Sequence, residues 1–170
     1  MKQIEMNVGQ AEVIDTFFLE VAAAPNQVRE LVLVSPFVQL SSKKSKAGKR
    51  LCSLLSSVNA AGGTAILISD DTPARRNDFQ KALQRHPKLA GTLFFHKDLH
   101  AKCGLATNSV GNQVAFMGSA NLTDAGLNRN AEIVLGMKGR ASEGQGWHMV
   151  GQLRSEIERI RANSSQLQHN

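Results

Sequence analysis

The order in which apolar runs change their period constrains this chain most. Glu30 to Ser35 is a short β-branched run of the kind that fills a buried strand. Leu51, Leu54, Leu55 and Val58 follow at helical spacing, and Gly62-Gly63 stops them. Thr64 to Ser69 is a second apolar run, and Pro73 opens a polar stretch in which Phe79 and Leu83 stand one turn apart. Beyond that, residues 92–95, 100–106 and 113–118 are strand-like with no helix between them. Asn108-Ser109-Val110-Gly111-Asn112 supplies turn residues, so the last two runs should form a hairpin. Residues 132–137 add a further strand, a helix over 11–23 precedes the series, and Trp147, Val150, Leu153, Ile157 and Ile160 stripe a closing helix. Strands and helices that alternate first, followed by a hairpin, predict an α/β fold: a mixed parallel and antiparallel sheet with helices on both faces.

A chain of 170 residues suits one domain over 1–170, with 164–170 expected as a flexible polar tail. No window approaches the length of an apolar membrane span, and Met1 to Glu5 leads into no apolar signal core. A cytoplasmic protein with no stable membrane association is the expectation. Cys52 and Cys103 fit neither a disulfide framework nor a zinc ribbon; Cys103 is expected in the core and Cys52 packed within its helix.

Net charge is +6, and its distribution says more than its size. Lys43, Lys44, Lys46, Lys49 and Arg50 fall within eight residues that contain no acid. The rest of the chain holds 15 basic and 14 acidic side chains, so it is nearly neutral. A basic loop of this kind can pair with phosphates and release counterions, which marks these five as candidate nucleic-acid contacts. A solvated loop is the plain alternative. Arg75, Arg76, Lys81 and Arg85 add a weaker basic helix face. Tyrosine is absent, and most of the seven phenylalanines fall in runs read as core, which disfavours a base-stacking platform.

His100-Ala101-Lys102 lies inside a strand-like run, where residues two apart share a face. Gly118-Ser119-Ala120-Asn121 ends the next strand of the expected hairpin, and Asn130-Ala131-Glu132 opens another. A nucleophile, a cation, neutral hydrogen-bond donors and a carboxylate would thus meet near one edge. That set suits attack on a phosphodiester.

In these residues the sequence resembles the phospholipase D superfamily, whose signature is H-x-K, usually x4-D, then G-S-x-N and a downstream N-x-E. The matching positions are His100, Lys102, Gly118, Ser119, Asn121, Asn130 and Glu132. With the strand context upstream, the resemblance spans roughly residues 28–140. It implies a phospholipase D-like sandwich and a metal-independent phosphodiesterase with no cofactor. His100 would attack phosphorus to form a phosphohistidine, and Glu132 would orient its ring. Lys102 and Asn121 would hold the non-bridging oxygens. Ser119 would add a donor, Gly118 would permit close backbone approach, and Asn130 would support the site.

One imidazole cannot both attack and protonate the leaving oxygen on the far side, and the chain has a single H-x-K. The small bacterial nucleases of the superfamily solve this with a homodimer, so a shared active site in a two-fold dimer is expected. The x4-D position is Thr107, a departure shared with the tyrosyl-DNA phosphodiesterase branch. His96-Lys97-Asp98 has the letters of the motif without its spacing, and His96 reads as a strand-end or surface residue. Asp70-Asp71 reads as a strand-end turn and helix cap, making a metal-dependent nuclease the weaker alternative. The expected function is a nuclease cutting DNA, with RNA also open. Two alternatives stand beside it: a phospholipid phosphodiesterase or transphosphatidylase, and a nucleic-acid-binding accessory subunit of a restriction or defence system.

Overall fold

The computed structural model describes residues 5–9, 12–128, 132–140 and 146–167. Six of its strands are those expected from the sequence: β2 (Val28–Val34), β3 (Thr64–Asp70), β4 (Leu93–His96), β5 (Cys103–Asn108), β6 (Asn112–Gly118) and β7 (Val134–Arg140). Two more, β1 (Glu5–Gly9) and β8 (Ser165–Gln166), occupy the outer positions. The helices are α1 (Glu12–Ala23), α2 (Lys46–Ala60), α3 (Pro73–Arg85), the short α4 (Asp124–Asn128) and α5 (Gly146–Ala162).

One mixed sheet runs in the order β1-β7-β6-β5-β2-β3-β4-β8. Strands β2, β3 and β4 are parallel, joined by α2 and α3, while β5, β6 and β7 pair antiparallel. The hairpin turn forms as expected: Asn108 Oδ1 accepts from the amides of Val110 and Asn112, and Gly111 takes φ +84°.

Alternation along the strands divides the core in two. Leu31, Leu33 and Leu67 point to the face covered by α1, α2 and α3, where Phe17, Phe18 and Phe116 meet at angles near edge-to-face or tilted. Val32, Val34, Ile66 and Ile68 point to the other face, against Val150, Leu153, Ile157 and Ile160 of α5. A sheet covered on both faces explains why its central strands read as continuous apolar runs.

The C-terminal residues depart from expectation. Gln166 and Ser165 pair with Phe94 and Phe95, and Leu167 is buried, so this part of the expected tail is a sheet edge. Pairing and burial of one leucine outweigh the polar composition around it.

Candidate active site

Strand direction assembles the site. The ends of β2, β3, β4 and β6 and the starts of β5 and β7 lie along one edge of the sheet, because Val34 is level with Cys103, Met117 with Cys103, and Gly118 with Val134. Residues just outside those ends come together there: His100 and Lys102 before β5, Ser119 and Asn121 after β6, and Glu132 before β7.

The H-x-K residues do not lie inside a strand, as the sequence suggests; β5 begins at Cys103. Residues 97–102 lead from β4 to β5, whose places in the sheet are separated by β3 and β2. Leu99 N meets Asp70 Oδ1 at 3.4 Å on that path. The ladder nonetheless reaches one residue further, since Gly118 N donates to Lys102 O at 3.1 Å. His100 is exposed, and Lys102 Nζ donates to His100 O at 3.0 Å.

Ser119 and Glu132 form a tight unit. Ser119 Oγ donates to Glu132 Oε2, and the same oxygen accepts from Ile133 N at 3.1 Å. Ser119 N also donates to Ile133 O at 3.0 Å, so the residue after β6 is fixed to the residue before β7. A hydroxyl that donates to a carboxylate makes a charge-assisted bond, stronger than a neutral pair. Sequence reasoning assigns Glu132 to the imidazole and misses this hydroxyl partner. Gly118 is crowded by the same approach: a Cβ there would stand 2.3 Å from Ile133 O.

Asn121 is held from both sides. The amide of Leu122 donates to the Ser35 hydroxyl at 3.1 Å, and Val38 and Leu122 form a parallel bridge between the chain after β2 and the chain after β6. Beneath it, a Cβ on Gly126 of α4 would stand 2.3 Å from Asn121 O. Asn121 Oδ1 is buried and has no hydrogen-bond partner among the described residues, as is also true of His96 Nδ1 and Gln113 Oε1. Asn130 lies outside the described residues, as does the side chain of Trp147.

The basic stretch only partly matches its expected form. Ser45 caps α2 by accepting from Gly48 N at 2.9 Å, so Lys46, Lys49 and Arg50 lie on the helix and only Lys43 and Lys44 lie in a turn. Ala47 N donates to Asp124 Oδ1 at 2.7 Å, which ties the start of α2 to α4 and hence to the active edge. Lys43, Lys44, Lys46 and Lys49 are exposed. Arg50 is not part of that set: its guanidinium pairs with Asp15 and lies 5.0 Å from the centre of the Phe18 ring, binding α2 to α1.

Three of the four basic side chains on the weaker face of α3 are likewise spent on the fold, while Lys81 is exposed. Arg75 donates to Val38 O, Arg85 to Ser41 O, and Arg76 pairs with Asp71 through two nitrogens. That pairing holds the Asp71 carboxyl below its ordinary range. The cap of α3 is Thr72, which accepts from Arg75 N, and not an aspartate.

Thr107 lies at the opposite end of β5, level with Glu30. Its hydroxyl accepts from Arg154 at 2.6 Å and from Gln113 Nε2 at 3.2 Å. Glu30 in turn faces Arg154 at 3.7 Å and Arg161 at 3.4 Å. A carboxylate, Glu30, thus stands level with position 107 on the neighbouring strand. Cys103, at the head of β5, faces the α5 side, and burial pushes its thiol up to about 12. Burial likewise raises Cys52 to about 11.

Comparison with known proteins agrees with this geometry. Residues 36–161 match the family model described as "Cardiolipin synthase, PLD-like domain". Comparison with curated protein sequences gives no match. Among solved structures, the fold is similar to Nuc from Salmonella typhimurium, a phospholipase D family member, with TM-score 0.63 at 11% identity over 98% of this chain and 100% of that one. NucT from Helicobacter pylori is similar at TM-score 0.61 and 11% identity, covering 96% and 99%. Phosphatidylserine synthase from Haemophilus influenzae Rd KW20 gives TM-score 0.61 at 12% identity, covering 99% of this chain but 39% of that one. At such identities the structural likeness speaks for the fold, and the family match over most of the chain speaks for descent. The chain belongs to the phospholipase D-like family, a superfamily of enzymes that act on phosphodiesters.

Proposed function

We propose that this protein is a cytoplasmic, metal-independent nuclease that cuts DNA, and RNA by the same backbone chemistry, through a phosphohistidine on His100. The observation that carries the reading is the convergence of His100, Lys102, Ser119, Asn121 and Glu132 on one sheet edge, beside the exposed lysines at the start of α2. The folds of two similar bacterial structures match over nearly their whole length, which supports reading this chain as a domain of that kind.

In the first step a ring nitrogen of His100 attacks phosphorus; an N–P bond forms, the P–O bond to the leaving group breaks, and that oxygen needs a proton. His100 of the partner subunit supplies it in a two-fold dimer. Water then attacks phosphorus, gives its proton to that same ring, and the N–P bond breaks. Lys102 and Asn121 take the charge that builds on the non-bridging oxygens. Glu132, fixed by Ser119, supplies the carboxylate that orients imidazole.

A direct test incubates labelled DNA and RNA with the protein in excess EDTA. Cleavage should persist there and vanish in a folded His100→Ala variant; strict dependence on added magnesium would contradict the reading. The dimer is checked by sedimentation with activity, where a fully active monomer would remove it.

A phospholipid phosphodiester is the second reading, favoured by two exposed apolar side chains on the same edge, Phe37 at 51% and Ile133 at 74% exposure. Release of headgroup from vesicles, with no cleavage of nucleic acid, would select it.

A further inference from the structure

We propose that Phe37 is a base-stacking residue of the active edge, so that the nucleotide beside the scissile phosphate is taken unpaired, as single-stranded nucleic acid. The inference rests on the nuclease reading and names the substrate form that reading leaves open.

Of the seven phenylalanines, Phe17, Phe18, Phe79, Phe95 and Phe116 are buried and Phe94 is partly so, whereas Phe37 is 51% exposed. Its backbone is pinned throughout. Ser69 Oγ donates to Pro36 O at 3.1 Å, Ser35 Oγ donates to Phe37 O at 3.0 Å, and Arg75 donates to Val38 O.

The pairing of Val38 with Leu122 sets the direction of the ring. Both of those side chains are buried in the core. In extended chains successive residues point to opposite sides. Phe37 immediately precedes Val38 and Asn121 immediately precedes Leu122, so the bridge brings the exposed ring and the Asn121 backbone onto adjoining chains at the active edge, with Asn121 Oδ1 turned inward. Asn121 is the residue assigned to a phosphate oxygen, so the ring stands beside the place where the scissile diester would lie.

The Arg75 guanidinium lies 5.7 Å from the ring centre and is itself anchored, which steadies the ring without covering all of it. An aromatic face held rigidly beside a backbone-binding group matches how sequence-tolerant single-strand binders work. A base inside a duplex offers no free face, which is why the inference commits to an unpaired nucleotide. The cations on the adjoining segment, Lys43 and Lys44, favour a polyanionic strand over an acyl chain as the ring's neighbour.

The test measures binding of two fluorescent strands with equal numbers of phosphates, one of dT and one of abasic analogue, to full-length His100→Ala protein in EDTA. That protein should prefer dT by about tenfold, within the range known for one stacked base. Adding Phe37→Ala should bring the two affinities within about twofold, Phe37→Trp should keep the preference, and Phe37→Leu should lose it. An equal fall on both strands, or no fall on dT, would overturn the proposal. So would a Phe37→Ala defect seen only with anionic vesicles, which would assign the ring to lipid, or only in sedimentation, which would assign it to subunit contact. Absence of cleavage by the unsubstituted protein would remove the nuclease reading, while this binding contrast still reports on the ring.

Discussion

The two ends of β5 hold contrasting chemistry. Before its first residue stand His100, exposed, and Lys102, whose ammonium reaches a backbone carbonyl. Near its other end Thr107 accepts from Arg154 and Gln113, and Glu30 pairs with Arg154 and Arg161. One end presents an exposed imidazole beside an ammonium; the other spends its charges on joining α5 to the sheet. Position 107 belongs to the second end, so the departure from the motif lies among the groups that hold α5 to the sheet.

The contrast is broken most directly by exchanging single residues at the two ends. Lys102→Ala or Asn121→Ala should lower turnover by about 10²- to 10³-fold with little change in melting temperature, as loss of a group that meets transition-state charge does. Arg154→Ala should do the reverse, costing roughly 1–2 kcal/mol of stability while leaving activity on folded protein within about twofold. Steady-state kinetics beside urea melts checks both. Equal effects of the two variants on turnover would remove the division of labour.

A second, smaller effect separates the lysines from the arginine in the same sequence run. Neutralising Lys43, Lys44, Lys46 and Lys49 should flatten the salt dependence of DNA affinity, by about 0.9 in log–log slope for each lysine that meets a duplex phosphate and about 0.7 on a single strand. Arg50→Ala should leave that slope unchanged and lower stability instead, because its partners are Asp15 and Phe18. An unchanged slope in the lysine variant would show that those side chains do not touch phosphate.

The smallest effect concerns the thiol at the head of β5. Burial raises Cys103 from 9.0 to about 12, so the folded protein keeps its proton where the unfolded chain releases it. Unfolding then releases a proton as pH rises, and stability contributed by this group is lost between about pH 9 and about pH 12. Urea midpoints taken at rising pH should fall more steeply in the parent than in Cys103→Ala. Parallel curves would contradict a buried neutral thiol.

Much of this architecture is legible in the sequence. Period-2 and helical spacing locate the six inner strands and the four long helices, since each buries an apolar face that composition reveals. Pattern does not reveal β1, an edge strand paired only with β7, or β8, two residues that owe their form to β4 and to the burial of Leu167. The start of α2 is hard to place because lysines hide the Ser45 cap. The motif residues are legible by type and order, but their assembly depends on register: Gly118 against Val134, and Ser119 reaching Glu132. Phe37 looks like the end of a core strand; the bridge that turns it outward joins positions 84 residues apart and leaves no local signal.

The central claim is that His100 is the nucleophile at the open end of the sheet. Internally labelled DNA mixed with the protein in EDTA and quenched within a turnover tests it, by asking whether label becomes covalently attached. The prediction is an acid-labile, alkali-stable adduct on the parent protein and none on His100→Ala, with cleavage at least about a thousandfold slower in that variant. Cleavage that persists in His100→Ala, or that requires added magnesium and passes through no adduct, would contradict the account.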